Sequence, residues 1–211
     1  YEALSRGPHG RWEMPDQFFT LGSTTEKRTA IDLRCAENCL RAVEQMPAGN
    51  SGRVHINLSP TTILSAPLDH LLERMLEVRG NARICIEISE QHVTSEALRM
   101  RDRLKDFRAE GIEIALDDVG AGNSILETLL HLEPDVIKID KTCIQDTSRD
   151  PDKRAFLGRL MKVAQALDGE VIAEGIESRE DLVVVNDMGI RFGQGFLWGR
   201  PAALGSAVTR T

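Results

Sequence analysis

Five short apolar runs in this chain each end in a residue that can hold a metal ion or move a proton: Val54-His55-Ile56-Asn57, Ile84-Cys85-Ile86-Glu87, Ile114-Ala115-Leu116-Asp117-Asp118, Val136-Ile137-Lys138 and Val171-Ile172-Ala173-Glu174. Side chains alternate faces along a strand, so Asn57, Glu87, Asp117, Lys138 and Glu174 share a face with His55, Cys85, Ala115, Val136 and Ile172 two positions earlier. Parallel strands separated by helical stretches, with polar residues at the strand ends, match an α/β, TIM-like (β/α)8 barrel, whose chemistry sits at the C-terminal mouth. One carboxylate after a strand is ordinarily a turn or helix-cap residue. Five polar ends in succession point to a site.

The 211 residues suffice for one sizeable core and fall short of the ~250 typical of a complete barrel, so a single domain over 1–211 is expected. No apolar run approaches the ~20 residues of a membrane span, and the start lacks a signal-peptide pattern. The expectation is a cytoplasmic domain that does not itself insert into a membrane, even if it belongs to a membrane-tethered protein. A net charge of −7, from 26 Lys+Arg against 33 Asp+Glu, argues against nonspecific nucleic-acid binding, which needs a basic surface. Cys35, Cys39, Cys85 and Cys143 show no framework spacing and read as reduced thiols, with helix packing favoured over metal binding for the Cys35/Cys39 pair.

Periodicity predicts strands near 1–6, 53–59, 83–88, 112–118, 135–140, 170–175 and 190–194, with helices near 25–46, 61–79, 91–109, 124–132, 152–167 and 179–188. Gly111, Gly169 and Gly189 each follow a helix and precede a strand, where a left-handed C-cap belongs. The chain opens inside a strand-like segment that already carries a carboxylate, and first residues usually fray. An upstream strand is therefore expected outside 1–211, in a larger regulated protein.

The ordered motifs Glu2-Ala3-Leu4-Ser5-Arg6, Ile56-Asn57-Leu58-Ser59-Pro60, Glu87-Ile88-Ser89-Glu90, Asp117-Asp118-Val119-Gly120-Ala121-Gly122, Lys138-Ile139-Asp140, Ala173-Glu174-Gly175-Ile176-Glu177 and Gln194-Gly195-Phe196 resemble those of the EAL-domain family. The resemblance implies a phosphodiesterase that hydrolyses cyclic di-GMP to linear pGpG with two divalent cations, Mg²⁺ or Mn²⁺. It also implies a first strand antiparallel to its neighbour, expected before residues 1–6 and outside this chain, a homodimer, and a sensor domain elsewhere in the full chain. Carboxylate and amide oxygens suit these cations, and a metal pair about 3.5 to 4 Å apart suits phosphodiester cleavage.

By the same resemblance, Glu2, Asn57, Glu87 and Asp117 bind one metal, and Asp117 bridges to a second held also by Asp118 and Glu174. Lys138 orients the attacking water or stabilises developing charge, while Glu174 is a ligand or a general base. Arg6 contacts a substrate phosphate, and Leu4 and Gln194 line the dinucleotide pocket. Glu177 either assists there or is a helix-start carboxylate, and Glu90 anchors the loop 119–124 or serves a helix N-terminus. His55, inward-facing below Asn57, reads as a hydrogen-bonded core residue rather than a ligand.

Departures from the family pattern are Val119, Asn123, Ile125 and Phe196, where Phe, Tyr, Ser and Tyr are usual; none removes a ligand. One competing identity is a catalytically weak receptor module that binds cyclic di-GMP without cleaving it. Acid groups plus a lysine at strand ends also describe barrels that abstract a proton beside a carboxylate, although the adjacent Asp117-Asp118 pair fits two metals better.

Overall fold

The computed structural model describes residues 1–46, 52–90, 93, 96–121 and 125–202. The chain divides into two compact units, Tyr1–Ala115 and a second beginning at Leu116. Strands and helices alternate through both, and the pairs β1–β2 and β2–β3 in the first and β5–β6 and β6–β7 in the second are all parallel.

The first unit contains β1 (Glu2–Ala3), α1 (Pro15–Phe18), α2 (Thr25–Glu44), β2 (Arg53–Asn57), α3 (Pro60–Ser65), α4 (Asp69–Val78), β3 (Arg83–Ser89), α5 (Ala97–Ala109) and the start of β4 (Glu113–Val119). Ile84 to Ile88 of β3 are all buried, as a parallel strand covered on both faces requires. In register, Asn57 lies opposite Glu87 and Glu2 opposite His55, so polar strand ends fall at one level. At the other end of the strands the Arg53 guanidinium donates to both Glu113 oxygens, at 2.7 and 2.8 Å. On the outside, Arg74 of α4 joins Glu37 and Glu44 of α2 to Glu77.

Two features of this unit differ from the sequence expectation. The helix expected over 61–79 is two helices, because Pro67 drives Ala66 out of the helical region to φ −87°, ψ 153°. The Arg103 guanidinium then donates to carbonyls near this break, to Ile63 at 3.0 Å and to Ala66. The strand expected over 1–6 ends at Ala3. The helix expected from 91 starts at Ala97, and residues 91, 92, 94 and 95 lie outside the described residues.

The second unit contains the end of β4, α6 (Ile125–Leu132), β5 (Val136–Ile139), α7 (Lys141–Ile144), α8 (Pro151–Ala166), β6 (Glu170–Ala173), α9 (Arg179–Asp187) and β7 (Phe192–Gly193). Asp150 caps α8 ahead of Pro151 and Ser178 caps α9, each satisfying amides that a helix start leaves open. The short α7 was not expected; Asp140 caps it, accepting from the Thr142 amide at 2.8 Å. Gly111 and Gly189 adopt left-handed conformations as predicted, at φ 80° and 81°, but at the 168–169 turn Asp168 does so, at φ 57°. Gly169 answers a different need, since a Cβ there would meet Ile137 Cδ1 at 3.0 Å.

Candidate active site

Polar residues gather at the strand ends of each unit. In the first, Asn57 Nδ2 donates to Glu2 Oε1 at 3.3 Å, and the buried Glu87 carboxylate meets His55 Nδ1 at 3.1 Å. His55 is itself buried, bearing out its expected role as a hydrogen-bonded core residue. Glu2, Leu4, Asn57 and Glu87 share the wall of a cavity of about 390 Å³ with Asp32 and Ser59. Arg6 stands apart from that wall: its exposed guanidinium donates to the Ser5 carbonyl at 2.9 Å. Because β1 ends at Ala3, strand alternation does not place Arg6 on the face of Glu2. Glu90 is buried after β3, while residues 122–124 of the loop it was expected to anchor lie outside the described residues.

The second unit brings Asp117, Asp118 and Glu174 together, each offering a carboxylate oxygen within 4.8 Å of the others. Strict alternation would send neighbours Asp117 and Asp118 to opposite faces of β4. Instead Asp118 has φ 58°, a conformation rare for a residue with a Cβ, and both carboxylates join one group. That backbone twist is invisible in a period-2 pattern.

Lys138 lies inside this group, only 1% exposed, with Nζ 3.1 Å from Asp117 Oδ1 and 2.8 Å from Glu174 Oε1. In register Lys138 pairs with Ile172, two residues before Glu174 on the same face. Gln194 also reaches Glu174, its Nε2 donating to Oε1 at 2.9 Å. Burial pushes the Glu174 carboxyl up to about 8; the Lys138 charge opposes the rise and the Asp117 charge adds to it. Glu177 is exposed on the loop before α9.

The loop after Glu174 is shaped by Gly175, at φ 63°, where a Cβ would fall 2.3 Å from that of Lys141. Gln145, at the end of α7, donates from Nε2 to the Gly175 carbonyl at 3.3 Å. Nothing in the sequence pattern singled out Gln145. The donor set Asp117, Asp118 and Glu174 consists of hard oxygens, which fits Mg²⁺ or Mn²⁺ better than the nitrogen and sulfur sets that zinc favours.

The EAL domain family model matches residues 1–201. The chain belongs to the EAL-domain family. Among curated relatives, this EAL domain is 27% identical over 194 residues to the probable cyclic di-GMP phosphodiesterase PdeA of Escherichia coli, covering 90% of the chain and 26% of that protein. It is 26% identical over 192 residues to the cyclic di-GMP phosphodiesterase PdeA of Borreliella burgdorferi, covering 88% and 28%. The domain thus spans only about a quarter of the length of these relatives. Among solved structures, Klebsiella pneumoniae BlrP1 matches over 95% of this chain and 51% of its own, with TM-score 0.84 at 31% identity for its calcium/cyclic di-GMP complex at pH 8.0. Its manganese/cyclic di-GMP complex at pH 6 gives TM-score 0.85 at 30% identity over the same shares. The likeness carries the α/β, TIM-like fold class expected from the strand-end pattern. Among the described residues, no helix is long and apolar enough to cross a membrane.

Proposed function

We propose that this EAL domain hydrolyses cyclic di-GMP to linear pGpG with two divalent cations, Mg²⁺ or Mn²⁺. The observation that carries the proposal is the convergence of Asp117, Asp118 and Glu174 on one point beside the buried Lys138. In this proposal the metal ligands are those the family resemblance implies: Glu2, Asn57, Glu87, Asp117, Asp118 and Glu174. When bound, such cations supply Lewis-acid charge at the phosphoryl oxygens and acidify a water at neutral pH.

The chain's own residues do the remaining work. The Lys138 ammonium stabilises negative charge that grows on the phosphoryl group, and it offsets repulsion between Asp117 and Glu174 in the resting site. Glu174, when ionised, is a ligand that can also accept a proton from the attacking water. The Gln194 amide holds one Glu174 oxygen and gives polar contact near a base or ribose. Leu4 gives apolar contact to the dinucleotide, Arg6 pairs with a phosphate oxygen when its side chain swings from Ser5, Glu177 assists at the pocket edge, and Glu90 anchors the loop 119–124.

The domain works as one module of a longer, sensor-regulated cytoplasmic protein, a proposal supported by how small a share of its relatives it spans. Leu126 and Leu130, one turn apart on α6 and 55% and 51% exposed, support a homodimer. The test is incubation with cyclic di-GMP and Mn²⁺ or Mg²⁺, with products separated by chromatography. Linear pGpG is expected with metal and none with a chelator. Intact nucleotide that is nonetheless bound would identify the receptor module instead.

A further inference from the structure

Asp181 lies outside the site, yet it is only 6% exposed and is met by several donors. The Ser178 hydroxyl donates to Oδ2 at 2.7 Å, the Asp146 amide to Oδ2 at 3.2 Å and the Ser148 amide to Oδ1 at 2.9 Å. One carboxylate therefore ties the first turn of α9 to the 146–148 turn. A helix cap needs only the Ser178 half of this arrangement, since Ser178 Oγ already accepts from the Asp181 amide at 3.1 Å. The other half has no part in capping α9.

The 146–148 turn is continuous with Gln145, whose amide holds the Gly175 carbonyl next to Glu174. Asp146 sits at φ 66°, a conformation that disfavours a side chain and persists only where surroundings hold it. The Asp181 carboxylate supplies that hold by accepting from the Asp146 amide itself. Gln145 is fixed on its other side as well, for Lys153 Nζ donates to its carbonyl at 2.9 Å. An unbroken run of hydrogen bonds and peptide links leads from Asp181 through the 146–148 turn and Gln145 to Gly175 and Glu174.

We infer that Asp181, acting through Gln145, is a positioning residue that sets where the Glu174 carboxylate stands. The inference rests on the proposed role of Glu174 in metal binding and hydrolysis. Asp181→Asn keeps the shape but turns an amide NH₂ toward donors on one side, and Gln145→Ala cuts the run beyond the helix cap. Four proteins, wild type, D181N, Q145A and the double variant, are compared for Mn²⁺ affinity by calorimetry, for kcat and KM on cyclic di-GMP, and for thermal unfolding.

Displacing Glu174 should lower kcat about tenfold or more in D181N, since misplacement of about 1 Å can cost that much, with KM within about twofold. Mn²⁺ affinity should fall several-fold in D181N and Q145A alike. The double variant should be no worse than D181N, because both act along one path. Reduced unfolding temperature with Mn²⁺ affinity and kcat unchanged in both single variants would overturn the inference and leave Asp181 a structural residue. Losses that simply add in the double variant would overturn the route through Gln145. If wild type binds Mn²⁺ but leaves the nucleotide intact, the hydrolytic proposal fails, and the Mn²⁺ affinities still decide the positioning role. If wild type neither binds Mn²⁺ nor hydrolyses the nucleotide, both fail.

Discussion

Carboxylates at the strand ends of the two units are held by different partners. In the first unit Glu87 leans on the His55 ring and Glu2 on the Asn57 amide. In the second, Asp117, Asp118 and Glu174 crowd beside a single buried ammonium, Lys138. Hydrogen bonds orient the first set, whereas the second packs three carboxylates against one another and against a lysine. Burial raises Glu174, with the Asp117 charge adding to the rise and the Lys138 charge opposing it, and in the proposed reading a divalent cation would favour the ionised form again.

The largest effect expected on this contrast is catalytic. Asp117→Asn or Glu174→Ala should lower cyclic di-GMP hydrolysis by at least about a thousandfold, while His55→Gln, which only loosens Glu87, should cost about tenfold to a hundredfold. Steady-state rates with circular dichroism to confirm folding would check this. Equal losses for His55 and Asp117 variants would erase the distinction between the two sets.

Lys138→Met sharpens the comparison by removing the buried ammonium that stands 3.1 Å from Asp117 and 2.8 Å from Glu174. Without metal, this should destabilise the domain by about 3 kcal/mol, because a buried charge pair loses one partner. Added Mn²⁺ should recover part of the loss. Denaturant unfolding with and without Mn²⁺ measures both, and an unchanged midpoint would show that Lys138 is not the local counterion.

Two carboxyls in the second unit should move stability in opposite directions with pH. Glu174 is raised from an ordinary 4.5 to about 8, so the metal-free folded state holds this proton more tightly than the unfolded state does. Its contribution is fully present below about 4.5 and is lost as pH rises toward 8. Asp181 behaves oppositely: burial would raise it, but hydrogen bonds from Ser148, Ser178 and Asp146 outweigh burial and hold it down to about 2. Its contribution, on the order of 2 kcal/mol, is present above the ordinary 3.8 and lost as pH falls toward 2. Unfolding curves of wild type, Glu174→Gln and Asp181→Asn across pH should separate the two, each variant flattening one limb. The smallest effect expected is structural, about 1 kcal/mol lost in His55→Gln as a buried hydrogen bond weakens.

Much of the site was legible because residue type and strand position carry it. Asn57, Glu87, Asp117 and Lys138 lie within the last three residues of their strands and Glu174 directly follows one, and period-2 alternation correctly placed Lys138 on the face of Glu174. What alternation cannot express is a residue that breaks it, which is how Asp118 joins Asp117. Pro67 is the sequence signal that splits the helix expected over 61–79, because the residue before a proline leaves the helical region. The short helices α1 and α7 span four residues each, too few for a periodic signal. Ser178-x-x-Asp181 carries a capping-box-like spacing, yet its hold on the 146–148 turn depends on tertiary contact that no local pattern encodes.

The most direct measurement is Mn²⁺ binding by calorimetry at pH 7 in buffers of different ionisation enthalpy, comparing wild type with Glu174→Gln. With Glu174 near 8, wild type should release about one proton as the metal binds, and the variant, which has no such proton, should bind more weakly and release correspondingly less. Wild-type binding with no buffer dependence, or an unchanged Mn²⁺ affinity in Glu174→Gln, would contradict the proposal that this lysine-balanced carboxylate group is the metal site.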